Sequence, residues 1–435
     1  MVGMPSFKIK FTEKHKKILR DLAITETAPG SILHDFGVLV DIVRKAPFTL
    51  TPTYQLPMKI LKPLNERLAR PLQIGLKRPQ QKSYPHIHGL YLLLRTSGLV
   101  LTSTAGKNPS LILDDASYTH WMELNPTEKY FTLIEAWFMR GYEEIIGESG
   151  NSYWHVPTHL DNIRSFVDYC NLHKEKPVQV TADMKSVLTY LIGGYNLGLL
   201  EMFGWLTIET APPADDGRWN IKSLQLTPIG SAFLGVFFVQ MRSILEEILS
   251  RTEVLPAGDT TQDIFQPYFP ELHNTFIPPD PPFQEGMHLF KVGLSAEIWR
   301  RIAIDAHQTF DDLATAILQS VDFDDSYFYR FGYANRFGGL DDISHPNLQE
   351  ESQGDEVKIG EIGLGIGESM VFRFDFGVNW KFILFLEAID PAQQLEGYEI
   401  RESRGEVPEQ YFFGDYGFAI MDIDDSDDSD LYLDG

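Results

Sequence analysis

The chain has 435 residues, of which 43 % are hydrophobic and 12 % aromatic, enough apolar material for ordinary cores. Its single cysteine, Cys170, excludes an intramolecular disulfide framework and every multi-cysteine zinc module. No apolar run reaches the roughly 18 residues of a membrane span, and the start lacks the apolar core of a signal peptide. We therefore expect a cytoplasmic protein with no membrane partner.

Charge is distributed unevenly along the chain, whose net charge is −24. Residues 1–125 hold 17 basic and 9 acidic residues, a net charge of +8. Residues 126–250 have a net charge of −6, and residues 251–435 have −26. This asymmetry indicates a nucleic-acid-binding part, an acidic tail, or both.

The first 30 residues form a basic arm. Lys14, Lys16 and Lys17 lie among apolar residues, a pattern that fits a short amphipathic helix and fits a solvated basic helix face equally well.

Residues 31–125 predict three helices followed by a β-hairpin. Apolar residues recur every three or four positions through the first two helices, and Pro85 begins the third. Two short apolar runs then bracket a turn that contains glycine, asparagine and proline. This order is the outline of a winged helix-turn-helix unit. The candidate phosphate-binding residues precede its third helix or lie in its wing: Lys77, Arg78, Lys82 and Lys107.

A second unit of the same kind is predicted over residues 126–250. An amphipathic connecting helix spans 126–146, and Gly204 then ends a helix before two strands separated by a polar turn. Leu226-Thr227-x-x-Gly230 follows the second strand and opens a final helix that we expect to reach about residue 248. This segment resembles the common winged-helix pattern. Residues 251–286 are predicted to be a Pro-rich linker.

The C-terminal part alternates strands with one helix capped by Thr309. Its motifs are Trp299-Arg300-Arg301 and Asp375-Phe376-Gly377-x-x-Trp380, and its ending contains Pro408, Gln410 and Tyr411. Over residues 287–420 this order resembles the plasmid pRiA-type ORF-three-like domain family. The resemblance implies a compact α+β fold with a curved sheet against one helix, and no established activity. It also implies that the ending is a docking strand or loop, and we expect Trp380 to be largely buried.

The chain departs from the family pattern at three positions. Val378 and Phe382 replace an acid and a histidine that follow the family's Asp-Phe-Gly motif, and Ser326-Tyr327 replaces a Ser-His pair. Any site that the family builds from those groups is therefore expected to be degenerate here. Beyond this domain, residues 421–435 contain seven aspartates and no basic residue. This acidic tail is expected to aid solubility or to compete with phosphate for a basic surface.

Three other patterns contain residue types that can form a metal-binding or phosphate-binding site. His86-x-His88 lacks further zinc ligands nearby, so a polar start to the helix is favoured. The glycines between 360 and 367 do not satisfy a phosphate-binding motif and suit turns better. Asp322, Asp324, Asp325 and Asp375 supply oxygen ligands without a calcium-loop register, so a solvated acidic loop is favoured.

The sequence therefore predicts a multidomain α+β protein. Two mostly helical winged-helix-like units with β-ribbons precede a compact domain with a largely antiparallel sheet, and residues 421–435 form the tail. The favoured function is non-enzymatic binding, with DNA or RNA at residues 1–125 and a protein partner at the C-terminal domain, and no cofactor or metal. The alternatives are a metal-dependent or hydrolytic enzyme that uses the C-terminal acids, and a structural adaptor in a mobile-element or defence complex.

Overall fold

The computed structural model describes residues 11–45, 48–103, 108–138, 176–181, 192–214, 216–236, 261–274, 280–295, 297–335, 340–348 and 352–410, with a few single or paired positions between them. These residues fall into two compact units. Unit 1 takes in the described residues up to 278 apart from 103–110, and unit 2 takes in those of 103–110 and those from 279 onward.

Unit 1 is mostly helical. Its helices are α1 (Glu13–Arg20), α2 (Ile32–Val43), α3 (Met58–Arg67), α4 (Pro85–Thr96), α5 (Asp115–Glu123), α6 (Pro126–Phe138), α7 (Gly194–Met202) and α8 (Thr261–Phe265), and residues 228–236 are also helical. The predicted connecting helix is thus observed as far as Phe138, and the final helix as far as residue 236. The remainder of both predictions lies outside the described residues.

Two small sheets of unit 1 share one topology. Strands β1 (Phe48–Thr49), β2 (Val100–Ser103) and β3 (Ser110–Leu113) form the first, and strands β4 (Val178–Gln179), β5 (Leu206–Ala211) and β6 (Asn220–Leu226) form the second. The orders are β1-β3-β2 and β4-β6-β5, so the last strand of each set lies between the other two. In each set a helix, α4 or α7, directly precedes the last two strands.

The core of unit 1 extends into the segment that composition marked as a linker. Helix α8 lies inside that segment, and Phe265, Phe269, Leu272 and Phe276 are at most 1 % exposed. Phe265 and Phe269 pack 4.9 and 5.1 Å from the ring of Phe131 on α6. Because these apolar side chains are buried, the described residues of 261–276 belong to the folded unit and not to a solvated linker.

Unit 2 is built on one antiparallel sheet. Its strands are β7 (Met287–Gly293), β8 (Trp299–Asp305), β9 (Tyr329–Ala334), β10 (Leu340–Ser344), β11 (Ser369–Phe374), β12 (Trp380–Asp390) and β13 (Tyr398–Arg404). The order is β10-β9-β11-β12-β7-β8-β13. Register shifts interrupt the ladder within β12 and within β13, where an extra residue bends a strand. The predicted mixed α+β class with a large antiparallel C-terminal sheet is confirmed.

One helix, α9 (Phe310–Ser320), packs on this sheet. Thr309 caps it: its hydroxyl accepts from the backbone N–H of Asp312, and the Asp312 carboxylate accepts from the backbone N–H of Thr309 at 2.9 Å. Such reciprocal caps contribute about 1 kcal/mol to a helix start. The helix buries Leu313 and Ile317 against alternate residues of the central strands, so the other sheet face is left to polar and half-buried side chains.

Candidate binding surfaces

The cations selected from the sequence before the third helix of unit 1 are exposed. Lys77, Arg78 and Lys82 lie in the segment that connects α3 to α4, and all three are solvent-facing. Lys107, the wing residue, lies outside the described residues. Exposed Lys and Arg side chains are the groups that contact phosphate oxygens, so this connection is a candidate anion-binding surface.

Helix α3 adds cations that the sequence analysis did not single out. Lys59, Lys62 and Arg67 are exposed on α3, and Pro63 and Glu66 share their face. Residues at these three- and four-position spacings lie on one side of a helix. The spacing of these residues in the sequence would have been enough to predict this basic face. The face joins the connecting segment to give seven basic residues against one acid over residues 56–82, here called the basic surface: Lys59, Lys62, Arg67, Arg70, Lys77, Arg78 and Lys82.

The third helix itself is not available to a ligand. In α4 all residues are buried except His88 and Arg95, which are half-buried. In α7 every residue from Asn196 to Met202 is buried. The two helices pack on one another through glycines: a Cβ on Gly89 would lie 2.9 Å from Leu199 Cγ, and one on Gly198 would lie 3.2 Å from the His86 backbone N. Helices α4 and α7 therefore bury each other, and neither presents an exposed face to a ligand.

A buried hydrogen-bonded cluster lies at this helix crossing. His86 is 2 % exposed, and its Nε2 lies 2.8 Å from Glu201 Oε2. Arg70 lies at the protein surface, and its Nη1 donates to the other Glu201 oxygen at 2.5 Å. His88, two residues after His86, has Nδ1 2.9 Å from Gln81 Nε2, and burial lowers the pKa of His88 to about 4. His86 thus joins α4 to α7, and His88 ties α4 to the segment before it, so the start of this helix is polar, as predicted, and largely covered.

The arm lysines lie on α1. Lys14 and Lys17 are exposed, whereas Lys16 is bound to Glu13 at 2.7 Å and lies 6.0 Å from the ring of Phe11. The hydrogen bond from Lys16 lowers the pKa of Glu13. Leu19 is the residue that anchors α1 in the core. The structure therefore supports the amphipathic helix, in which two of the three lysines, Lys14 and Lys17, face solvent.

In unit 2 the adjacent arginines of β8 have opposite environments. Arg300 is 7 % exposed and donates to the carbonyl oxygens of Trp299, Ser320, Arg404 and Gly405. Arg301 lies on the other face, bound to Glu387 at 2.6 Å and to Glu402. The hydrogen bonds that Arg301 donates to Glu387 and Glu402 raise the pKa of its guanidinium. Because successive side chains of a strand point to opposite faces, Arg301 forms ion pairs on one face, while Arg300 ties β8 to the end of α9 and to the close of β13.

Trp299 lies beneath two cations. It is 8 % exposed, and the Arg301 guanidinium and Lys291 ammonium lie 4.9 and 5.1 Å from its ring. Cations above an indole face are attracted by its quadrupole. This tryptophan therefore supports the charged face of the sheet and is not a free ligand platform.

The Asp-Phe-Gly segment makes the turn between β11 and β12. Asp375 is 5 % exposed with φ +50°, and its carboxylate accepts from the backbone N–H of Gly377 at 3.0 Å. Phe376 is 47 % exposed. Trp380 is half-buried, 4.8 Å from the ring of Phe323, so the expectation of a largely buried side chain is corrected. Its position at the start of β12, at the open end of the sheet, explains the difference.

The C-terminal motif docks as a loop. Pro408 is exposed, and Gln410 forms a pair of hydrogen bonds with the backbone of Asp324: its Nε2 donates at 3.0 Å and its Oε1 accepts at 2.6 Å. The side-chain amide thus takes the place of a peptide group in a strand ladder. Tyr411 lies outside the described residues.

The candidate acids do not form a cation site. Asp324 accepts from the hydroxyl of Ser326, a hydrogen bond that lowers the pKa of this carboxyl, while Asp375 holds its own turn. No group of three or more His, Cys, Asp or Glu residues suited to a metal ion occurs within the part of the chain that the structure describes. Gly363 and Gly367 have positive φ, which fits the turn interpretation of the glycine series.

Asp342 is a carboxyl with a perturbed pKa that the sequence analysis missed. Burial, with a contribution from Glu350, raises its pKa to about 6, and Arg373 acts in the opposite direction. It lies on β10, and Ser344 of the same strand bonds to Glu350, which also binds Arg330. These contacts indicate a polar cluster that joins three neighbouring strands.

Comparison with known proteins finds a similarity in the C-terminal part. The model of the plasmid pRiA4b ORF-3-like protein family matches residues 289–422. Among solved structures, a protein of unknown function, MM3350 from Methanosarcina mazei Go1, is 27 % identical over 29 % of this chain and 74 % of that chain, with a TM-score of 0.26. No curated protein matches the chain. No helix among the described residues has the length and hydropathy to cross a bilayer. The C-terminal part of the chain is thus similar to plasmid pRiA4b ORF-3-like proteins.

Proposed function

We propose that this chain is a non-enzymatic binding protein whose unit 1 contains two winged-helix-like halves and contacts nucleic acid through phosphates, without reading bases through its third helices. Unit 2 then serves as an interaction domain. The observation that carries the proposal is the mutual burial of α4 and α7 beside a basic surface that remains exposed.

The topology supports the winged-helix-like assignment. In each half a first strand precedes a helix that leads into two further strands, and the last strand pairs with the first. Winged-helix units use this order, with the last two strands as the wing. Fold alone does not decide the ligand, since such units also dock on proteins.

The burial of α4 and α7 argues against major-groove readout. Helix-turn-helix proteins read sequence with side chains on the exposed face of the third helix. Here that face is filled by the facing helix, and Gly89 and Gly198 leave no room for an inserted base edge. Contact with a duplex is thereby restricted to its backbone.

The basic surface supplies that contact. Its exposed cations lie on α3 and in the connecting segment, and Arg70 is the one that forms an ion pair with another described residue, Glu201. Phosphate contacts by Lys and Arg give affinity that falls with salt and carries no base information. We therefore expect sequence-independent binding.

The test is a salt titration of the full chain with two duplexes of unrelated sequence. We expect affinities for the two duplexes to agree within about threefold and to fall steeply between about 50 and 200 mM salt. The double variant Lys77→Glu, Arg78→Glu should weaken both complexes alike and lower the salt slope by about 2, since each phosphate contact contributes roughly 0.9.

Lys176→Glu is the matched control for Lys77→Glu. Lys176 is an exposed lysine of the second half, so the charge change is the same and the position differs. Lys77→Glu should weaken binding several-fold and Lys176→Glu should not. Absence of affinity for either duplex at about 50 mM salt would refute nucleic-acid binding and leave protein docking as the function of unit 1.

A further inference from the structure

Four large apolar side chains are exposed together at one end of the unit 2 sheet. Tyr327, Phe328, Phe376 and Val378 are 45, 43, 47 and 51 % exposed. The two pairs are neighbours because the Asp375 backbone N–H donates to the Phe328 carbonyl oxygen at 3.0 Å. Scattered exposed apolar residues are ordinary, but a grouped set indicates a docking surface. These four residues are here called the aromatic patch.

The patch is held in place by its neighbours. The Arg330 guanidinium lies 5.7 Å from the Phe376 ring centre, and Tyr327 packs edge-on at 6.4 Å against Phe374. Phe328 lies 5.1 Å from the ring of His345. Side chains already ordered in this way lose little entropy when a ligand covers them.

The described chain ends beside this patch. Gln410 is bound to the backbone of Asp324, three residues before Tyr327. Residues 411–435 lie outside the described part of the chain. Their first ten residues, Tyr-Phe-Phe-Gly-Asp-Tyr-Gly-Phe-Ala-Ile, contain five aromatic side chains and one acid, and the family match continues to residue 422.

Charge distinguishes this aromatic segment from the acidic tail that follows it. Asp322, Asp324 and Asp325 lie in the exposed segment that directly precedes Tyr327, and Asp375 directly precedes Phe376. A ligand with many carboxylates would meet like charges there, and residues 421–435 contain seven aspartates. Residues 411–420 carry one acid and match the patch in apolar character.

We propose that the aromatic patch is the docking surface for residues 411–420 of the same chain. Ten residues reach about 33 Å when extended, so a segment that starts at Gln410 is long enough to cover the patch. Docking there anchors the start of the acidic tail at the end of the sheet. The proposal concerns unit 2 alone and stands independently of nucleic-acid binding by unit 1.

The test measures amide hydrogen exchange of residues 411–420 in the full chain. Val378→Asp and Ile366→Asp are a matched pair, because these side chains are 51 and 50 % exposed in the same unit. We expect protection of 411–420 in the wild type and in Ile366→Asp, and at least about tenfold faster exchange in Val378→Asp. Exchange in β11 and β12 must be unchanged, which excludes unfolding as the cause.

A disulfide-trapping experiment gives an independent reading. In a Cys170→Ser background, Val378→Cys with Phe413→Cys should oxidise within one chain, and Ile366→Cys with Phe413→Cys should not. Unprotected residues 411–420 in the wild type would overturn the proposal, as would equal exchange in both variants. Protection that depends on protein concentration, or disulfides between chains, would assign the patch to a second copy instead.

Discussion

Units 1 and 2 hold their parts together by different means. Unit 1 joins its two halves through the crossing of α4 and α7, where glycines bring the backbones close. Unit 2 joins its parts through a continuous ladder of antiparallel strands. A helix crossing depends on the shape of a few positions, whereas a ladder distributes its bonds over many residues. A glycine substitution at a close backbone approach in unit 1 should therefore cost more than one at an open turn of unit 2.

Two glycines with positive φ test this difference most strongly. Gly204 has φ +77°, and a Cβ there would lie 2.3 Å from the Pro29 carbonyl oxygen. Gly397 has φ +89°, with no atom within 4 Å of its Cβ position. We expect Gly204→Ala to destabilise unit 1 by about 4 kcal/mol or more, because both backbone strain and a backbone clash oppose it. Gly397→Ala should cost about 1 kcal/mol from strain alone.

Urea unfolding of the full chain measures both values, with tryptophan emission following the transitions. Trp121, Trp137, Trp205 and Trp219 report on unit 1, while Trp299 and Trp380 report on unit 2. Equal costs at the two glycines would show that the close approach to Pro29 relaxes without penalty.

The adjacent arginines of β8 sharpen the comparison inside unit 2. Arg300→Met removes the donors of several buried carbonyl oxygens, and each unsatisfied group costs about 1–3 kcal/mol. We expect a loss of about 3 kcal/mol. Arg301→Met leaves Glu387 and Glu402 partly exposed to water, so its cost should stay at or below about 1 kcal/mol. Thermal or urea unfolding of the two variants gives the comparison, and a larger loss for Arg301→Met would contradict it.

The smallest effect concerns His88 and pH. Its pKa is lowered from 6.5 to about 4 in the folded chain, so the unfolded chain binds the proton more readily. Stability from this group is complete above pH 6.5 and declines as pH falls toward 4. Between pH 7.5 and 5.5 the decline should be about 1 kcal/mol.

The variant His88→Gln isolates this contribution, since other groups titrate in both proteins. Its free energy of unfolding should fall by about 1 kcal/mol less than that of the wild type over the same pH interval. Parallel pH profiles would show that His88 titrates normally in the folded chain.

Local signals in the sequence predicted most of unit 2. The Thr309 cap and the antiparallel strands follow from patterns over a few residues, and the structure confirms both. The half-buried state of Trp380 was not predicted, because an aromatic residue at the end of a strand has the same local sequence pattern as one at its centre. Whether it is covered depends on distant residues.

In unit 1, local sequence patterns do not predict which distant residues pack against each other. Helix α4 is apolar almost all round, which indicates burial on every side, yet its neighbour α7 lies about a hundred residues away. Phe265, Phe269, Leu272 and Phe276 recur at helical spacing within a segment whose prolines suggested a linker. In both places the residues that cover the apolar side chains lie far away in the sequence, so the local pattern does not identify the partner face.

The crossing at Gly89 and Gly198 also constrains how this protein can be divided and how it can change. Cutting the chain between the two halves would lay bare a leucine-rich helix on each product, so the fragments should aggregate or pair with each other when coexpressed. A larger residue at either glycine requires a compensating smaller one opposite. Substitutions in the two halves should therefore occur together in evolution, because each side of the crossing limits the size of the residue on the other side.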